Sequence, residues 1–253
     1  MMNPSFLSGK KVLVTRGEQD HQQLSEGISA AGGIPVTIPL IDFQATKLSP
    51  LEKKCLATLS SYDWVIFTSK NGVDHFFQQT KVIKMPKIAV IGEKTKGRLK
   101  DYGYTPSFQP SKFVAECFVE EFLPILREAS RVLIVKGNLA RSLITNSIKN
   151  GGHHCDDIII YKTIMPKESE TELYRLMKEQ CVDVITFTSS STVHHFMKVM
   201  DKHNLRECLS DSIIACIGPI AEKTAKQYGL NVQICADPFT VEGLVKKLVI
   251  FEG

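Results

Sequence analysis

No stretch of this 253-residue chain approaches the roughly eighteen consecutive apolar residues of a membrane-crossing helix, and no signal-peptide pattern opens it. Both absences predict a cytoplasmic protein with no membrane partner. Its seven cysteines (Cys55, Cys117, Cys155, Cys181, Cys208, Cys216 and Cys235) form no Cys-x-x-Cys and no Cys/His spacing of a zinc site. Free thiols suit a reducing compartment, and Cys181, Cys216 and Cys235, in apolar strand-like contexts, read as small buried hydrophobes. A net charge of +4 without long Lys/Arg runs argues against a nucleic-acid tail. Gly-x-x-x-x-Gly-Lys-Ser/Thr, Gly-x-Gly-x-x-Gly and Gly-x-Ser-x-Gly are all missing, which excludes the familiar triphosphate, dinucleotide and hydrolase loops. His153-His154 and His194-His195 are adjacent pairs, whose side chains point apart on a helix or strand, so neither offers two ligands to one metal.

What is present is a duplication. Lys11-Val12-Leu13-Val14-Thr15-Arg16-Gly17 returns 120 residues later as Arg131-Val132-Leu133-Ile134-Val135-Lys136-Gly137. Trp64-Val65-Ile66-Phe67-Thr68-Ser69 returns as Val184-Ile185-Thr186-Phe187-Thr188-Ser189, and Ile88-Ala89-Val90-Ile91-Gly92 as Ile214-Ala215-Cys216-Ile217-Gly218. So long a period marks a duplicated domain, since solenoid units recur every 20 to 50 residues or so. Hydrophobic content of 43% is enough for a core in each half.

Apolar runs at 11–15, 34–38, 64–67, 87–91, 132–135, 157–161, 184–187 and 213–217 are the predicted strands. Helical patterns cover 18–31, 72–79, 94–102, 115–129, 140–150, 170–179, 192–201, 221–228 and 241–249. The alternation predicts βαβ units and mainly parallel sheets covered on both faces. Gly103 and Gly229 fit left-handed helix ends. Segments 39–43 and 160–166 are extended, apolar and equivalent in the repeat, and are linker candidates; a tandem arrangement would instead divide near Ser130.

Ligands of parallel α/β sheets sit beyond the carboxyl ends of the strands. Those ends carry Thr15-Arg16-Gly17, Ser69-Lys70-Asn71-Gly72, Gly92-Glu93-Lys94-Thr95, Lys136-Gly137-Asn138, Ser189-Ser190-Ser191 and Gly218-Pro219-Ile220-Ala221. Each leads into a helix, whose free N–H groups can hold carboxylate or phosphate. Arg16, Lys70, Lys94, Lys136 and Arg141 add positive charge. The plainer alternative is helix capping, worth about 1 kcal/mol per Ser or Thr with no ligand at all. Tyr161, after three isoleucines, either packs as a linker residue or offers its hydroxyl to a ligand as hydrogen-bond or proton donor.

In order and spacing these segments resemble the uroporphyrinogen-III synthase family over residues 10–248. The likeness rests on Val-Leu-Val-Thr-Arg at 12–16, Phe-Thr-Ser-Lys-Asn-Gly-Val at 67–73 and Ala-Val-Ile-Gly-Glu-Lys-Thr at 89–95. It extends through Ile-Tyr-Lys-Thr at 160–163, Phe-Thr-Ser-Ser-Ser-Thr-Val at 187–193 and Cys-Ile-Gly-Pro at 216–219. The resemblance implies an α/β protein of two flavodoxin-like parallel-sheet domains joined by a two-stranded linker. The first domain would be discontinuous (1–40 with 166–253) and the second would span 41–165.

It further implies a cytoplasmic monomeric lyase of haem biosynthesis, without cofactor or metal. Such an enzyme closes hydroxymethylbilane to uroporphyrinogen III with inversion of the last pyrrole ring, taking its substrate by transient handover from hydroxymethylbilane synthase. By position Tyr161 matches the tyrosine proposed to help the hydroxyl leave. Ser69, Thr95 and Ser189 match binding turns, and Arg16 the arginine after the first strand. The remaining substrate-binding candidates are Thr15, Lys94, Lys136, Arg141, Ser190 and Ile220. Ala221 stands where the family often has threonine, so that turn would bind through its main chain only; an alternative reading is a diverged, weakly active member of the family. A second reading is a two-domain sensor that closes on an anionic ligand without chemistry.

Overall fold

A computed structural model describes residues 5–17, 21–81, 84–179 and 182–252. Residues 18–20, where the first predicted helix begins, and Cys181 lie outside them. The chain divides into one unit of residues 1–42 with 164–253 and a second of Phe43–Thr163. In chain order, β1 (Lys11–Val14) leads through α1 (Gln22–Ala30) to β2 (Ile34–Thr37). The second unit starts with β3 (Asp42–Ala45), α2 (Pro50–Ala57), β4 (Trp64–Phe67), α3 (Lys70–Gln79) and β5 (Lys87–Val90). It continues with α4 (Glu93–Asp101), α5 (Ala115–Phe122), β6 (Arg131–Gly137), α6 (Leu143–Asn150) and β7 (His154–Ile164). The first unit resumes with α7 (Lys167–Lys178), β8 (Val184–Phe187), α8 (Ser190–Lys202), β9 (Ile213–Cys216), α9 (Pro219–Gln227), β10 (Val232–Cys235) and α10 (Val241–Val249).

The first sheet runs β2-β1-β8-β9-β10 with parallel pairings throughout, the flavodoxin-like order. The second runs β3-β7-β6-β4-β5, and its β7–β6, β6–β4 and β4–β5 pairs are parallel. It is the first order circularly permuted. Strands β7, β6, β4 and β5 take the places of β2, β1, β8 and β9, and a parallel bridge from Ala89 to Phe108 stands where β10 would be. Strand β3 is added outside β7. In each sheet the order reverses between two central strands, β1 and β8 in one unit and β6 and β4 in the other. Ligands bind at such switch points, beyond the carboxyl ends.

Helices on both faces explain why the strands read as unbroken apolar runs. Val12 and Val14 pack with Leu24, Ile28, Leu244 and Leu248 on one face, while Leu13 joins Ile185, Phe187, Phe196 and Met197 on the other. The second unit repeats this, with Val65, Phe67, Leu133 and Val135 on Val73, Phe76 and Leu99. Across its sheet, Trp64, Ile66, Val132 and Ile134 meet Phe118, Phe122, Ile144 and Ile148. Each such burial contributes about 1.5–3 kcal/mol. The duplication reaches the helix ends. Gly103 and Gly229 have φ of +81° and +82°, and their N–H groups bond the carbonyls of Lys100 and Lys226, as the sequence predicts.

Some elements differ from expectation. The helix predicted over 115–129 stops at Phe122, and residues 123–125 form a 3-10 turn containing Pro124, whose ring and missing N–H end an α-helix. Strand β7 has eleven residues, not five. Strands β3 and β10 and helix α2 are additional; the polar residues in Asp-Phe-Gln-Ala and Val-Gln-Ile-Cys hide these edge strands. Ser130, the alternative boundary, is buried inside the second unit.

Candidate active site

Strand β7 brings its tyrosine to the switch point of the second unit through a shift in register. Lys136 pairs with Ile159, but Gly137 pairs with Tyr161, leaving one extra residue on β7. A bulge of this kind re-aims the following side chain. Beyond it, the Asn138 N–H donates to the Tyr161 carbonyl (3.2 Å) and the Thr163 N–H to Asn138 Oδ1 (2.8 Å). The phenol ring lies flat on the end of β6, where a β-carbon on Gly137 would stand 2.4 Å from Cζ and 2.7 Å from Oη. His75 from α3 stacks on the ring (5.5 Å between centroids, 22°), and Phe43 from β3 meets it edge-on (5.6 Å, 80°).

The Tyr161 hydroxyl is 3.0 Å from Ser69 Oγ. Ser69 is the N-cap of α3 and accepts the Gly72 N–H at 3.0 Å. With one lone pair so occupied, Ser69 still has its hydrogen to give to the phenol oxygen, which frees the phenol's own hydrogen for a ligand. Burial pushes the Tyr161 phenol above its ordinary value, and the Ser69 bond opposes this more weakly. At neutral pH the group is therefore a protonated donor.

In the first unit Arg16, half-buried, and Ser189 end the neighbouring strands β1 and β8. Ser189 caps α8 by accepting the Thr192 N–H at 3.2 Å, while Thr192 Oγ1 donates to the Ser189 carbonyl at 2.8 Å. Ser190, the first residue of α8, is half-buried.

Charge separates these helices from the rest. The first turns of α1, α3, α6 and α8, which follow the four central strands, hold no acidic residue; Glu18 and Asp20 precede α1, outside the described residues. Among the described residues the six other α-helices carry Glu there, including Glu93 in α4 and Glu222 in α9. An acid at that place already complements the helix dipole and repels a bound anion. The switch-point helices lack that repulsion, whereas the helices at Lys94 and Ile220 carry it in Glu93 and Glu222.

Several candidates have other tasks. Thr15 is fully buried and its hydroxyl donates to the Thr186 carbonyl (2.7 Å), while Thr186 returns a bond to the Leu13 carbonyl (2.7 Å). These two bonds stitch β1 to β8. Lys136 is buried in an ion pair with Asp157, which also accepts from Thr145 (2.9 Å). Alternation along β6 turns Lys136 toward the core rather than the strand end. Arg141 pairs with Glu116 at 2.8 Å on the surface. The side chain of Thr95 and Ala221 are buried, whereas Lys94 and Ile220 are exposed, the latter at 75%. His75, Phe43 and the close approach at Gly137 were not anticipated. A glycine ending one strand beside a tyrosine near the end of its neighbour was the available signal. Among the described residues no three His, Cys, Asp or Glu gather as metal ligands.

A family model described as "Uroporphyrinogen-III synthase HemD" matches residues 22–246. A putative uroporphyrinogen-III synthase of Methanocaldococcus jannaschii is 28% identical, covering 93% of this chain and 96% of its own length. The uroporphyrinogen-III synthase of Synechococcus elongatus is 27% identical over 94% of each chain. Among solved structures, a mutant uroporphyrinogen III synthase from Thermus thermophilus superposes with a TM-score of 0.66 at 15% identity, covering 94% of this chain and 96% of that one. The Helicobacter pylori uroporphyrinogen-III synthetase gives 0.61 at 17%, covering 94% and 97%. Those structures share the fold, and the family match spans most of the sequence. The chain belongs to the uroporphyrinogen-III synthase family.

Proposed function

We infer that this protein is a uroporphyrinogen-III synthase, a lyase that closes the linear hydroxymethylbilane to uroporphyrinogen III with its last pyrrole ring turned over. The observation that carries the chemistry is the Tyr161 hydroxyl, protonated, shielded and 3.0 Å from Ser69. As the terminal C–O bond of the bilane breaks, the phenol proton goes to the departing hydroxide and makes water. Ser69 donates to the phenolate oxygen meanwhile. The azafulvenium cation left behind is attacked at a substituted carbon, and the resulting spiro intermediate fragments and recloses. The proton lost from carbon at closure restores the phenol, so the balance is one bilane to one macrocycle and one water.

Acetate and propionate arms make the bilane a polyanion, and the acid-free first turn of α3 beside Tyr161 suits a carboxylate, as does that of α8 within its own unit. Because the bilane can cyclise unaided to the uninverted isomer, holding its geometry is the larger part of the task. On this reading the enzyme works as a cytoplasmic monomer and receives its short-lived substrate directly from hydroxymethylbilane synthase. The test is to supply freshly made hydroxymethylbilane and resolve the product isomers. Type III product is expected above the uncatalysed background, and type I product alone would reject the assignment.

A further inference from the structure

Histidine 75 is an expensive residue for its place. It lies inside α3, and its Nδ1 is buried with no hydrogen-bond partner among the described residues. Such an atom loses its hydration and gains nothing in return, so a purely structural position would favour an apolar side chain. What the imidazole does have is a plane. It lies 22° from parallel to the Tyr161 ring at 5.5 Å, with Phe43 edge-on to the same phenol and the Gly137 backbone against its Cζ. The two residues also belong to one helix–strand unit, because Ser69 at the start of α3 bonds the phenol hydroxyl and His75 follows it two turns of chain later.

We propose that His75 is a positioning residue that acts through Tyr161: its ring face fixes the tilt of the phenol, so that the hydroxyl stays on Ser69 and aimed at the departing group. This rests on the proposed synthase activity. A flat neighbour limits rotation of the phenol in a way that a branched aliphatic one does not, and small misplacement of a reacting group is costly in rate. His75 itself touches no reacting atom in this scheme.

The experiment is a double-mutant cycle on the full-length protein with hydroxymethylbilane as substrate. It uses His75→Leu, His75→Phe and Tyr161→Phe, and each histidine variant is also combined with Tyr161→Phe. His75→Leu is expected to lower kcat about ten- to a hundredfold with KM changed less than about twofold. His75→Phe keeps the plane without the orphan nitrogen and is expected to restore kcat to within about threefold of the wild type. On the Tyr161→Phe background His75→Leu should have no further effect, because the hydroxyl it positions is gone. Losses that multiply, an unchanged kcat in His75→Leu, or no rescue by His75→Phe would each overturn the proposal. Should His75→Leu fail to fold, His75→Phe against His75→Asn decides the same point, since asparagine keeps a polar atom and loses the aromatic ring face. Wild-type enzyme yielding only type I product would sink the activity instead, which separates the two failures.

Discussion

Gly137 and Tyr161 share one space: the phenol ring occupies the volume in which any side chain on residue 137 would begin, with 2.4 Å from Cζ to an added β-carbon. That distance is far inside van der Waals contact, so in Gly137→Ala either the ring or the end of β6 must move. The ring is the softer of the two. We expect kcat to fall about a hundredfold while folding is lowered by about 1–3 kcal/mol. Steady-state kinetics beside a urea titration would show it, and a variant with wild-type kcat would mean that the placement of the phenol is unimportant.

Ser69 and Ser189 are equivalent in the duplication and cap α3 and α8 alike, but only Ser69 touches a phenol. Ser69→Ala and Ser189→Ala should therefore each lose about 1 kcal/mol of stability as a capping effect. Tyr161→Phe should slow turnover by about ten- to a thousandfold, as for a lost general acid. Ser69→Ala should share part of that loss in kcat, whereas Ser189→Ala should act on KM. Equal kinetic effects from the two serine variants would remove the special role given to Ser69.

The duplication made much of this legible. Matching strands, matching Ser caps and matching glycine helix ends could all be read before any coordinates, because each depends on local pattern and recurs. The permuted strand order could not, since the repeat shows which segments correspond but not which neighbours they choose. The site divided in the same way. Tyr161 and Ser69 stood out as types at strand ends, but their contact depends on a one-residue bulge between Lys136 and Gly137 that no periodicity shows. The surroundings of Lys136 and Thr15 were hidden for a related reason. Both sit near strand ends, yet alternation turns them inward, and in so short a strand the last outward position is not fixed by sequence.

That inward turn has a measurable consequence. Lys136→Met strands Asp157 with Thr145 as its remaining side-chain partner, and Thr15→Val removes a donor from the Thr186 carbonyl. Thr15→Val is expected to lower stability by about 1–3 kcal/mol, the range for leaving a buried partner unsatisfied, and Lys136→Met by the lower part of that range because Asp157 is half-buried. KM for the bilane should stay within about twofold of the wild type at temperatures where both variants are folded. A raised KM with an unchanged urea midpoint would return these residues to the binding site.

Stability should also fall on the alkaline side, and the sign follows from the buried acids. Burial pushes the Cys155 thiol from 9.0 up to about 12, with the Asp157 charge adding to it. Burial likewise takes Cys216 to about 12, with Cys235 as the next contributor. Burial raises the Tyr161 phenol above 10.0 in the same sense. In each case the folded chain keeps its proton to higher pH than the unfolded chain. The stabilisation is whole below about pH 9, where both states are protonated, and drains as pH rises toward the folded values. The slope is about 1.4 kcal/mol per pH unit for each thiol while only the unfolded state ionises. Urea midpoints between pH 8 and 11 should decline, beginning near 9 and steepening above 10 as Tyr161 joins. Cys216→Ala should flatten the first part of that decline. Midpoints that stay level to pH 11 would show that these thiols ionise as readily in the folded protein as in the open chain.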